Sequence, residues 1–183
     1  MAETGRYYTY LISSLPMLTL GSKPPLSFEK FLSLCENLIP KNEVEELRNS
    51  GTALSCCKGT FNNTLCKWRS FERTLRNELV KIRAARLKLD PSKYLREDGC
   101  GDIVCITHIA LAAHRKPSLI ESERFLDSER WNYLESLSAG HYFDFDFLVI
   151  YAQKLLIAEK WGVIAQADPQ KIVSGILEPV ETI

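Results

Sequence analysis

Between Trp68 and Leu89 the chain runs without a proline or glycine through WRSFERTLRNELVKIRAARLKL, and this stretch constrains the fold more than any other. Trp68, Leu75, Ile82 and Leu89 fall seven apart, with Phe71, Leu79 and Arg86 in the same seam. That spacing gathers them on one face of a helix. The opposite face carries Lys67, Arg69, Arg73, Arg76, Lys81, Arg83 and Lys88 against only Glu72 and Glu78. A chain with 23 basic and 23 acidic residues has therefore concentrated positive charge on one element. The charge answers either acidic helices of its own fold or an acidic partner.

At 183 residues the chain has room for one domain with a real core. Its apolar fraction of 45% and charged fraction of 25% are those of an ordinary globular protein. The balanced charge gives no global argument for nucleic acid or membrane binding. No apolar run reaches the roughly 18 residues that a membrane span needs; Phe147 to Ile157 is interrupted by Gln153 and Lys154. The opening MAETGRYYTYLISSLPM carries Glu3 and lacks the form of a signal peptide. The expectation is a soluble cytoplasmic protein.

Proline and glycine cut the sequence into helical pieces. Tyr7 to Leu20 is aromatic and apolar, broken at Pro16, and fits a short helix or an extended stretch. Ser27 is placed to cap a helix reaching about Ile39, with Phe28, Phe31, Leu32, Leu34 and Cys35 inward, until Pro40 stops it. A short charged helix follows over Glu43 to Asn49. Gly51 to Asn63 reads as a loop, and Asn62 or Asn63 caps the long basic helix, which ends before Pro91. Ser92 to Gly101 is a polar connection with Asp98, Gly99 and Gly101 as turn residues. Ile103 to Ala113 is apolar nearly all round, which predicts a buried helix. Ser118 and Glu121 form a capping box for a helix to about Leu137, acidic through Glu121, Glu123, Asp127, Glu129 and Glu135. Gly140 suits its C-terminal end. Phe143 to Ile164 is a further long helix, interrupted near Gly162, and Asp168-Pro169 opens a last one ending near Leu177. Hairpin-type alternation is absent after residue 26. The fold class is all-α, a multi-helix bundle in a single domain over 1–183: a helical segment 1–50, a loop 51–62, a main bundle 63–177 and a tail 178–183.

The sequence offers little chemistry. There is no GxxxxGK[ST], GxGxxG, GxSxG or HExxH, so no catalytic residue and no cofactor is assigned. Cys35, Cys56, Cys57, Cys66, Cys100 and Cys105 read as reduced thiols, several of them packed inside. Cys100, Cys105 and His108, completed by Cys56 and Cys57, are the sharpest metal candidate, but the spacings match no familiar zinc module and a core histidine explains His108 better. No metal site is assigned. Asp144 and Asp146 stand at a helix start, where they complement the dipole, and His114, Arg115 and Lys116 stand at a helix end, where cations do the same.

The basic helix admits three readings: a solvated face with salt bridges to the acidic Ser118–Leu137 helix, a docking surface for an acidic protein, or an independent nucleic-acid-binding module using residues 67–88. Arg69, Arg73, Arg76 and Arg83 are spaced as one continuous ridge suited to bidentate carboxylate contacts. Nucleic acid is not expected, because no aromatic stacking platform or known motif accompanies the arginines. The candidate partner-binding set is Arg69, Arg73, Arg76, Arg83, Arg86 and Lys88.

Three stretches carry a resemblance: the opening Tyr7-Tyr8-Thr9-Tyr10-Leu11 through Leu15-Pro16-Met17-Leu18, the helix FERTLRNELVKIRAARLKLDPSKYL ending at Leu95, and Phe143-Asp144-Phe145-Asp146 through Tyr151, Lys154-Leu155 and Glu159-Lys160-Trp161. Together they resemble a bacterial family whose genes typically lie inside V-type (A/V-type) ATPase operons. That family is distantly similar to the coupling subunit of archaeal-type ATPases and its eukaryotic V-ATPase counterpart, an all-helical, funnel-shaped socket between the central stalk and the rotating proteolipid ring. The resemblance implies a non-catalytic helical subunit or accessory factor that couples stalk to ring or aids assembly. Its implied partners are central-stalk or proteolipid-ring subunits, and its implied place is cytoplasmic, peripheral to the inner membrane through the ATPase alone. This chain is shorter than a full coupling subunit with its three helical bundles, which implies a reduced version or an assembly factor.

Overall fold

The computed structural model describes residues 7–51, 62–96 and 106–166. These form seven α-helices, α1 (Thr9–Ser14), α2 (Phe28–Glu36), α3 (Lys41–Ser50), α4 (Asn63–Leu87), α5 (Thr107–His114), α6 (Leu119–Leu137) and α7 (Phe145–Gln166), with a single 3-10 turn over Pro91–Tyr94. No strand occurs among the described residues, and the fold is an all-α multi-helix bundle. No helix among them is long and apolar enough to cross a membrane.

The bundle is organised around α7, not around the segment that the sequence marks as buried. Along α7, Leu148 to Gln153 are buried without a break, followed by Leu155, Ile157 and Ala158. A helix apolar all round must be covered all round, and α7 packs on α2, α3, α4 and α6. By contrast α5 begins only at Thr107 and buries Ile109, Ala110 and Ala113 alone. His108 and Leu111 are exposed, so the expected core histidine lies on the surface. Gly162 does not interrupt α7. A Cβ there would come within 3.3 Å of Pro24 Cδ, so its glycine makes room for the proline connector.

Capping residues fix most helix starts. The Ser27 side chain accepts from Lys30 N–H, Asn62 Oδ1 from Leu65 N–H at 2.7 Å, Ser118 Oγ from Glu121 N–H and Asp144 Oδ1 from Phe147 N–H. Helix α2 ends at Glu36, earlier than Ile39, and Pro40 becomes the N-cap of α3 instead of the stop of α2. Leu34 is 40% exposed and does not join Phe31, Leu32 and Cys35 inside. At the far end of α4, Lys88 adopts φ 56° while Leu89 N–H donates to Ala84 O and Lys88 N–H to Ala85 O. This is a Schellman ending with lysine where glycine is the usual residue.

One hydrophobic cluster runs from Leu11 on α1 to Ile157 on α7, so the N-terminal helices share a core with the main bundle. The first and third stretches of the family resemblance are tied together. Tyr8 N–H donates to Phe143 O at 2.6 Å, and Tyr151 Oη donates to Pro16 O at 2.8 Å. Phe28 N–H donates to Glu159 Oε1 and Gln153 Nε2 to Ser50 Oγ, which clamps α2 and α3 onto α7. Between α4 and α6, Phe71 stacks on Tyr133 with ring centroids 4.1 Å apart, flanked by Trp68. Such a pair contributes about 0.5–1.5 kcal/mol beyond its buried area.

Candidate functional site

The basic helix is covered on several sides, since α4 packs on α5, α6 and α7. Trp68 and Leu75 are buried and Ile82 packs on the core, as the seam predicts, but Leu89 lies past the helix end and is half exposed. The expected ridge does not form. Arg69 and Arg73 are only 7% and 4% exposed, because the helix face beside the apolar seam is also roofed by neighbours. Arg69 reaches toward Asn49 O at 3.4 Å, across the joint with α3. Arg76 stays near the surface and pairs with Glu72 at 3.4 Å. Arg83, Arg86 and Lys88 are exposed at the C-terminal end.

The ion pair between α4 and α6 runs opposite to expectation. Glu72, an acid of the basic helix, accepts from Arg130, a base of the acidic helix, at 2.5 Å. Arg130 also holds Asp127 at 2.8 Å. Burial works against the guanidinium charge, but Glu72 and Asp127 outweigh it and hold the Arg130 pKa above its ordinary value. Asp127, 1% exposed, receives Trp161 Nε1–H at 2.8 Å and Lys160 Nζ at 2.5 Å as well. Asp127 of the acidic helix thus spends its charge on Arg130 and on α7. Glu78 pairs with Lys81 on its own helix, which holds its carboxyl below the usual range.

Two exposed arginines, Arg83 and Arg86, line one groove of about 520 Å³ between the last turns of α4 and the α5–α6 turn. Leu79, Ile82, Arg83, Arg86 and Leu87 line one wall, and their spacing is a single helical face. His114, Lys116, Pro117, Ser118, Leu119 and Ser122 line the other. Among the described residues, Arg83, Arg86 and His114 meet no carboxylate. Lys116 lies over the Phe125 ring at 4.8 Å. Ser118 caps α6, so the positive end of that 19-residue helix adds to the field. Leu87 and Leu119 are 66% and 76% exposed on the rim. The groove brings together two of the six sequence-derived candidates, Arg83 and Arg86. Sequence reasoning assigned His114 and Lys116 to the helix dipole, and only the tertiary turn carries them to the arginines.

A second cluster lies at the start of α7. His141 Nδ1 stands 2.5 Å from Asp144 Oδ2 and 3.7 Å from Asp146 Oδ2. One ligand atom from each of the three lies within 4.8 Å of the others, a spacing that a divalent cation could bridge. Each carboxylate is already employed: Asp144 caps α7, and Asp146 Oδ1 accepts from Asn62 Nδ2 at 2.9 Å. The His141 ring is likewise engaged with Asp144. Glu46 lies nearby, accepting from Asn62 N–H at 3.3 Å. Burial pushes its carboxyl above the ordinary value, against the Asn62 amide and Arg69. The cysteines of the sequence-derived metal candidate, Cys56, Cys57, Cys100 and Cys105, lie outside the described residues, as do Asp98, the loop from 52 to 61 and the helix expected after Asp168.

No family model matches the chain, no curated protein matches it, and no solved structure matches it.

Proposed function

We propose that this chain is a non-catalytic helical interaction protein of a V-type ATPase, either a subunit at the stalk–ring junction or an accessory factor of its assembly. The partner would be a central-stalk or proteolipid-ring subunit, with the membrane reached only through the ATPase and the protein itself on the cytoplasmic side. The observation that supports a docking role is the uneven disposal of charge. Buried Glu72 and Asp127 are closed into the Glu72–Arg130–Asp127–Lys160 network, while among the described residues Arg83 and Arg86, next to exposed leucines, meet no carboxylate. Unpaired cations beside exposed apolar groups suit a protein surface, which supplies both carboxylates and apolar contact. The ATPase itself rests on the resemblance of the three stretches around Tyr8, Leu75 and Tyr151.

The nucleic-acid alternative loses ground from the burial of Arg69 and Arg73, which removes half of the four-arginine ridge a phosphate backbone would track. Co-purification from cells carrying the tagged protein tests the leading reading. ATPase stalk or ring subunits are expected with it. Failure to recover any of them, together with normal ATPase assembly in a deletion strain, would overturn it.

A further inference from the structure

We propose that the groove between the C-terminal turns of α4 and the α5–α6 turn is the docking site for an acidic amphipathic helix of the partner. This rests on reading the chain as an interaction protein, but not on the ATPase being the partner.

The charge of the occupant follows from complementarity. Arg83 and Arg86 are one helical turn apart on α4, exposed, and meet no carboxylate among the described residues, with His114 and Lys116 facing them across the groove. Guanidinium groups at that spacing match carboxylates placed three or four residues apart on a facing helix. The apolar side follows from the floor and rim. Leu79 and Ile82 line the groove on the core side, while Leu87 and Leu119 stand 66% and 76% exposed on its rim. A small anion would leave those leucines in water, and a phosphate backbone has no apolar ridge to offer them. A volume of about 520 Å³ accepts a few inserted side chains, not a whole helix. The partner helix therefore lies across the mouth, with leucine-type anchors inside and carboxylates on the arginines, a helix-in-groove arrangement. Two ion pairs on the rim set orientation and on-rate, and the inserted anchors supply most of the affinity.

Fluorescence anisotropy on the full chain tests this with a labelled synthetic helix of roughly 20 residues, long enough to be helical in solution. The probe carries leucines at every third and fourth position and a glutamate ridge beside them. Its controls are a scrambled sequence, a glutamine version and a single-stranded oligonucleotide of equal charge. The leucine–glutamate probe is expected to bind best, and Arg83→Glu with Arg86→Glu to weaken it at least tenfold. Leu119→Asp is expected to do the same through the anchor. All three positions are exposed, so thermal melts should match the unsubstituted protein, which separates lost docking from lost folding. No binding, equal binding of the scrambled peptide, equal binding of the oligonucleotide, or indifference to these substitutions would each overturn the proposal. Co-purification of ATPase subunits with the Arg83→Glu, Arg86→Glu protein would also overturn it while leaving the ATPase reading in place. Absence of ATPase subunits from the unsubstituted protein would remove that reading and leave the peptide result to decide the groove.

Discussion

Glu72 on α4 and Arg130 on α6 meet at 2.5 Å beneath the surface, with side chains 7% and 14% exposed. The pair joins the two oppositely charged helices through the minority charge of each. Removing one partner of such a pair strands the other in a poorly solvated place. Glu72→Leu should destabilise the fold by about 2–3 kcal/mol, less than the full cost of an orphaned ion because Asp127 still holds Arg130. Glu72→Leu combined with Arg130→Leu should recover at least half of that loss. Urea unfolding of the two singles and the double, read as a double-mutant cycle, measures the coupling.

Asn62 works in two directions, capping α4 through Oδ1 and donating to Asp146 through Nδ2. Asn62→Ala should therefore cost about 2 kcal/mol, the upper range for a cap. Aspartate is as good a cap, yet Asn62→Asp should also destabilise, because it loses the donor and faces Asp146 and Glu46. Its deficit should shrink in acid by more than the alanine deficit, because only the aspartate adds a like charge to be neutralised. Thermal melts at neutral and acid pH compare the two.

Lys88 holds a left-handed backbone conformation that glycine adopts without strain. Lys88→Gly should stabilise the protein by about 0.5–1 kcal/mol, and Lys88→Val should destabilise it. Equilibrium unfolding of both substitutions gives the sign directly. An unchanged or lower stability for the glycine variant would show that the lysine side chain contributes more than its strain costs.

Cys35 is fully buried, and burial, with Glu36 beside it, pushes its thiol up to about 12. At pH 8 only roughly one thiol in ten thousand would be thiolate, the reactive form. A variant retaining Cys35 as its only cysteine should give no signal with a disulfide-exchange dye until it is unfolded. Rapid labelling of the native protein would show that the α2 core opens locally.

Glu46 has a folded-state pKa raised above its ordinary 4.5, chiefly by burial. A raised acid favours the protonated form in the folded state. Its contribution to stability is therefore present below the unfolded pKa and is lost as pH rises through the folded one. Glu46→Gln keeps an acceptor for Asn62 N–H and removes the titration. It should be more stable than the unsubstituted protein at neutral pH and lose that advantage below pH 4.5. Melting temperatures across that range carry the test.

Local signals in the sequence were readable because their physics is local. Ser27, Asn62 and Ser118 cap the helices they precede, and the seven-residue seam places Trp68 and Leu75 inward. What failed needed knowledge of neighbours. A helical wheel says which residues share an angle, not how many helices cover it, so Arg69 and Arg73 looked solvated when α4 was roofed on several sides. The same limit hid α7 as the central helix, since an all-round apolar pattern also describes Ile103 to Ala113. Half of the groove was legible as Arg83 and Arg86 on one face. The other half comes from a turn that brings His114 and Lys116 across from them, and no spacing rule encodes that encounter.

The position of α7 has a consequence for biosynthesis. Phe31, Leu47 and Leu75 all belong to a core completed by residues 145–166. As the ribosome delivers the chain from its N-terminus, α2, α3 and α4 emerge with their apolar faces uncovered and must wait for the late helix. Until then the nascent chain exposes the surface that holdase chaperones recognise. A translational pause or truncation before Phe145 should therefore send it to aggregation rather than to a smaller folded product.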